Sequence, residues 1–313
     1  MASGGGVAMT SWRKRSKPVA GLEELAGRLQ ERDRLIIDAL GRYKVLTKAQ
    51  VARLFFDSES SARDRLSTLV ELDVITRYRS HNRQAWRYTL AYWGACVHAV
   101  ATNPDAKTPT KKAVFDQATR IMHSAHRGHT ESTNDFFTRL TACCRHRADE
   151  GWVVERWLSS AESSLFFTNT KPRPDGGATI HMDDRVLEFW FEHDTGTEPL
   201  HVLADKIDAY DKEYDQPWRD NFTPVLLQID KPGRETHFHH TLALARAERP
   251  LSFPVATTIT ELATDPADAV WWLVGHDEVR VRLDQIPPAK KRLDSLEFMK
   301  YCRSDDYRVG GWT

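Results

Sequence analysis

Cysteine is scarce in this 313-residue chain. Cys96, Cys143, Cys144 and Cys302 form no C-x-x-C pair and no disulfide framework, so a reduced, cytoplasmic setting is the simplest expectation. No run approaches the ~18 to 20 apolar residues of a membrane span, and membrane partners are not expected. The first 18 residues lack an apolar signal core. They hold Arg13, Lys14, Arg15 and Lys17 behind a glycine run, and read as a basic tail over 1–20 or a phosphate-contacting arm. Net charge is absent too, with 44 basic and 44 acidic residues. Spread evenly, that balance would argue against nucleic acid, but it is not even. Residues 1–112 carry an excess of +9 and the remainder −9, as a DNA-reading module joined to an acidic, metal-binding module would.

The composition is otherwise ordinary, 41% hydrophobic and 28% charged, and the length suits two domains. Leu29, Ile36, Ile37 and Leu40 mark an amphipathic helix expected to stop near Gly41. Thr47 stands as an N-cap before a second helix with Val51, Leu54 and Phe55 inward. A third helix buries Ala62, Leu66, Leu69 and Val70. Two strands, 74–79 and 85–90, follow around the polar tip Ser80–Gln84. Three short helices and a hairpin predict a winged helix-turn-helix over 21–101. Its third helix would offer Ser60, Arg63 and Ser67 to the major groove, and its wing Arg77, Arg79, Arg83 and Arg87 to phosphates. Arg63 and Arg83 lead that set. Double-stranded DNA is the expected partner, with a homodimer left open. A protein-contact module is the competing reading.

A Pro- and Lys-rich linker is expected over 102–114. A helical stretch from 115 to 149 follows, broken near Gly128. Its His123, His126 and His129 drift around the axis and make no tight ligand set. From 152 on, strands are expected at 152–158, 165–169, 177–181 and 185–193. Helix 199–214, strand 223–229, helix 235–249 and strand 253–259 come next, with Trp271 and Trp272 closing the core ahead of a strand at 278–283. That order predicts an α/β domain with a mixed sheet over 115–285, and α+β overall. A surface tail fills 286–313.

The acids concentrate in one place. Glu188, Trp190, Glu192 and Asp194 share one strand face, and a turn centred on Met182 and Asp183 would set Asp175 across from Trp190, diagonal to Glu192. Asp175, Glu192 and Asp194 are then candidate ligands for Mg²⁺ or Mn²⁺, which would activate a water for attack on phosphate. Solvated strand-end acids are the bland alternative.

Arg173-Pro174-Asp175, a hairpin and then Phe191-Glu192-His193-Asp194 resembles the P-D…(D/E)-x-K pattern of restriction-endonuclease-like nucleases. With the winged helix in front, the chain resembles the replication-relaxation family of plasmid and mobile-element proteins over roughly residues 30–250. The resemblance implies a role in replication, relaxation or transfer of plasmid DNA, with Asp175 and Glu192 as metal ligands. Asp194 stands where that pattern has lysine, and Lys206 on the next helix is a candidate replacement. Glu155 or Glu131 could supply a further acid. His237-Phe238-His239 matches the paired histidines of HUH relaxases, but it falls on a predicted helix, where i and i+2 diverge. Two functions follow: a metal-dependent DNA endonuclease or nickase with Asp175, Glu192, Asp194 and Lys206 catalytic, or a non-catalytic replication accessory factor or regulator on a degenerate nuclease fold.

Overall fold

The computed structural model describes residues 21–105, 107–167, 172–216, 222–247 and 249–288. The expected tail at 1–20 and the Lys-Lys-Arg run after Pro288 lie outside these residues. Two compact units divide between Thr138 and Arg139. No helix among the described residues is long and apolar enough to cross a membrane.

In the first unit the order is α1 (Leu22–Ala26), α2 (Glu31–Tyr43), β1 (Leu46–Thr47), α3 (Lys48–Phe55), α4 (Glu59–Glu71), β2 (Ile75–Tyr78), β3 (Arg87–Leu90), α5 (Tyr92–Thr102) and α6 (Lys111–His123), followed by the start of α7 (Arg127–His146). The Thr47 hydroxyl caps α3 through the Gln50 N–H at 3.3 Å, and the Gln50 side chain returns a bond to the Thr47 N–H at 2.8 Å. The Ser58 hydroxyl caps α4 by accepting the Ser61 N–H at 3.2 Å. Helix α2 does not stop at Gly41 but runs to Tyr43. A Cβ at Gly41 would collide with the His98 ring on α5, so this glycine serves close helix packing and not a helix end. The break comes at Lys44, whose φ is 69°. Three elements of this unit escape sequence reading: α1, the short β1, which joins β3 in a sheet of order β1-β3-β2, and α5. Helix α6 starts at Lys111 inside the expected linker and packs on α5 and β3, so it belongs with the first unit.

The second unit continues with the remainder of α7, β4 (Trp152–Ser159), α8 (Ser160–Ser163), β5 (Gly176–Met182), β6 (Arg185–Asp194), α9 (Leu200–Tyr214), β7 (Val225–Ile229), α10 (Pro232–Ala245), β8 (Val255–Ile259), β9 (Trp271–Leu273) and β10 (Arg280–Val281). The strands form one sheet of order β10-β9-β8-β7-β6-β5-β4, parallel across β6, β7 and β8 and antiparallel elsewhere. This is the expected mixed sheet, and the chain is α+β. Residues 164–166 form a 3-10 turn in place of the start of the strand expected over 165–169, whose end lies outside the described residues.

One face of the sheet offers Trp190, Val225, Leu227, Ile229 and Val255 to Leu203, Ile207, Tyr210 and Tyr214 of α9 and to Phe238 and Leu242 of α10. Each such side chain contributes about 1.5–3 kcal/mol by leaving water. That packing aims the polar residues on the same strand face toward α9 and α10.

Candidate active site and nucleic-acid surface

The hairpin β5–β6 decides where the acids lie. Met182 pairs with Arg185 and Gly176 with Phe191, so the turn is Asp183–Asp184 and not Met182–Asp183. Asp183 takes φ 57°, a left-handed turn conformation that Asp tolerates. Gly177 lies opposite Trp190, and the indole comes within 2.8 Å of where a Cβ would stand, so only glycine admits this pairing. The register differs by two residues from the expected one, which preserves the faces. Continued by one residue, it sets Asp175 level with Glu192, and directly opposed residues hold their Cβ atoms about 4.5–5.5 Å apart.

Three of the four expected catalytic residues meet there. The Asp175 carboxylate accepts the His193 backbone N–H at 2.9 Å, which ties it to β6. Glu192, 1% exposed, accepts the Tyr210 hydroxyl at 2.8 Å and the Lys206 ammonium at 3.2 Å. Lys206 and Tyr210 stand four apart on α9 and so share a face. Burial, then the charge of Asp175, pushes the Glu192 carboxyl up to about 7, while Lys206 and Tyr210 work against that rise. Burial opposes the charge on Lys206, but Glu192 and Asp175 outweigh it and hold the ammonium pKa above its ordinary value. Burial and the adjacent carboxylates push the Tyr210 phenol well up, so it stays a donor.

Asp194, expected as the third ligand, is taken elsewhere. Arg234 on α10 forms an ion pair with it, adding a bond of 3.0 Å from Nη2, and the Gly196 N–H donates to it at 3.2 Å. Glu155 is at the β4 bulge, 2.6 Å from His181 and away from the sheet end. Glu131 belongs to the first unit, paired with Arg87 at 2.6 Å and Arg127 at 3.1 Å. His237 is exposed while His239 is buried against Thr257 at 2.8 Å, so the two histidines of the HUH-like string face apart.

Among the described residues no group of three His, Cys, Asp or Glu side chains gathers to hold a metal. Asp175 and Glu192 are the two carboxylates that could be offered to Mg²⁺ or Mn²⁺, ions that take one or two carboxylates beside water and substrate oxygens, though both Glu192 oxygens already have partners.

In the first unit, Ser60 and Arg63 are exposed on α4, with Arg63 donating to Ser60 at 3.2 Å and pairing with Asp64 at 3.2 Å. The Ser67 hydroxyl bonds the Arg63 carbonyl at 2.9 Å. Arg83 is exposed at the hairpin tip. Arg77 and Arg79 lie over the Trp86 ring. Arg87, expected among the phosphate contacts, is turned inward to Glu131 and is 15% exposed, so it braces the hairpin instead. Tyr210, Arg234 and Trp86 escape sequence reading as site residues. Only Tyr210 left a usable signal, its four-residue spacing from Lys206.

No curated protein and no solved structure matches the chain. A family model described as replication-relaxation matches residues 7–226, more than half of the chain and inclusive of Asp175, Glu192, Lys206 and Tyr210. The chain belongs to the replication-relaxation family.

Proposed function

We propose that this protein binds duplex DNA of a plasmid or mobile element through a winged helix and nicks it at a metal-dependent PD-(D/E)XK-like site. Family membership ties the chain to replication or relaxation of such DNA. The observation that carries the nuclease reading is the convergence of Asp175, Glu192 and Lys206 at the ends of β5, β6 and one face of α9. Lys206 supplies from the helix the ammonium missing from the strand motif.

Asp175 and Glu192 would hold the cation, which when bound supplies Lewis acidity and lowers the pKa of a bound water. Tyr210 fixes one oxygen of Glu192 from the buried side. Lys206, 36% exposed, offers its ammonium between the carboxylates and solvent, where it can orient a water and offset charge on a phosphate oxygen. In the first unit, α4 would present Ser60, Arg63 and Ser67 to base edges, with Arg83 on the wing near a phosphate.

A second reading has its own observation: both Glu192 oxygens already have partners, and the residue is 1% exposed. That favours a non-catalytic accessory factor or regulator using the fold as a scaffold. Supercoiled plasmid with Mg²⁺ or Mn²⁺ separates the two. Nicking by the wild type and not by Asp175→Ala/Glu192→Ala supports the enzyme. Equal inertness of both, with duplex binding intact, leaves the scaffold.

A further inference from the structure

Arg77 lies on β2 and Arg79 one residue past its end, so the two, two residues apart, share a face of the hairpin. Continuing the Tyr78–Arg87 pair, the register sets Trp86 level with Arg79. The guanidinium carbons of Arg77 and Arg79 lie 4.5 and 4.3 Å from the centre of the Trp86 ring. Arg79 also donates to the Asn82 carbonyl in the turn at 3.0 Å. All three side chains are partly accessible, and Trp86 is not among the buried core residues. A large aromatic ring at the surface of a basic hairpin, engaged with two cations, calls for a reason other than core packing.

We propose that Trp86 is a positioning residue for DNA: its ring holds Arg77 and Arg79 as a preformed pair of guanidinium groups directed at the sugar–phosphate backbone of a duplex. The inference rests on the duplex-binding reading and deepens it. A free arginine loses rotamer freedom when it engages a phosphate, and that ordering subtracts from affinity. A guanidinium already stacked on an indole has lost most of that freedom before DNA arrives. Arg77 also hydrogen-bonds the Tyr88 side chain and Arg79 the Asn82 carbonyl, and a guanidinium has five N–H donors, so each group held over the ring keeps donors for phosphate oxygens. Lysine carries the same charge but cannot be held in this way.

The test uses the full chain, a labelled mixed-sequence duplex and titrations at several salt concentrations. Trp86→Ala should weaken binding about tenfold at an unchanged salt slope, because both charges remain but must be ordered on contact. Trp86→Phe keeps a ring and should recover most of that loss. Arg77→Lys/Arg79→Lys, which leaves the indole in place, should show the same tenfold weakening at the wild-type slope. Arg77→Ala/Arg79→Ala should flatten the slope by roughly 2, about 0.9 per lost contact. Wild-type affinity in Trp86→Ala or in the double lysine variant would overturn the inference while leaving duplex binding in place. Absence of duplex binding by the wild type would remove the DNA reading itself.

Discussion

Glu192 and Glu235 are both buried in the second unit, 1% and 2% exposed, and each faces a cation, yet the protein treats them differently. Glu235 receives a guanidinium fork: Arg280 donates from Nη1 at 3.0 Å to one oxygen and from Nη2 at 2.5 Å to the other. The Thr257 hydroxyl adds a third bond at 2.6 Å. Glu192 has one phenol, one ammonium at 3.2 Å and a second carboxylate, Asp175, close by. A fork matched to a carboxylate satisfies both oxygens and fixes the group in place, whereas a lysine is a point charge on a flexible stem. Glu235 therefore ties α10 to β10 and reads as architecture. Glu192 sits beside a second carboxylate with its charge less fully compensated, the kind of environment in which functional carboxylates occur.

The largest expected effect breaks the architectural member. Glu235→Ala leaves the half-buried Arg280 without its carboxylate, and loss of one partner of a buried pair costs about 3–5 kcal/mol. Urea unfolding of the full chain measures it. A loss below about 1 kcal/mol would mean that the fork stabilises nothing, and the contrast with Glu192 would collapse.

Glu192→Gln should act in the opposite direction and depend on pH. The folded carboxyl titrates near about 7, above the ~4.3 of an unfolded chain. The folded state therefore binds the extra proton between those values, and stability contributed by Glu192 is full below the lower value and lost as pH rises through the upper one. Relative to the glutamine variant, the wild type should lose stability from about pH 4.5 to 7 and stay level above. Unfolding midpoints of the two proteins across that range provide the check, and parallel curves would place Glu192 in the same class as Glu235.

The Glu192 side of this contrast was largely legible in the sequence, the Glu235 side was not, and the missing parts share a cause. Strand alternation put Glu192 on the face that carries Trp190, and the wait for a lysine beyond Gly196 led to Lys206. Local periodicity suffices for both. The register needed the identity of the turn, and Asp183–Asp184 with a left-handed Asp is a weaker signal than Asn-Gly or Asp-Gly. Asp194 resembles Glu192 in pattern, and nothing local distinguishes them. What does is Arg234, 40 residues further on, just as Glu131 claims Arg87 from 44 residues away. Long-range ion pairs leave no periodic trace, so the sequence could not show that Asp194 and Arg87 already have charged partners. Tyr210 reads as packing because it does pack, against Phe167 and Phe253, and its hydroxyl is an addition to that role.

That addition supports the finest prediction. Tyr210→Phe keeps the ring and its contacts and deletes only the bond to Glu192 Oε1. A hydrogen bond to a charged group contributes about 1.5–3 kcal/mol, so the loss should fall near the lower figure above pH 7, where Glu192 is ionised in the wild type. The Tyr210 hydroxyl holds the Glu192 pKa down, so its removal should carry the pH-dependent difference from Glu192→Gln to higher pH. Built into the Glu235→Ala background, the phenylalanine should produce the same increment, because the two clusters share no hydrogen-bond partner in the bonds described. Strong coupling between them would show that the under-compensated carboxylate and the clamped one belong to a single network. The division between site and scaffold would then have to be drawn around both.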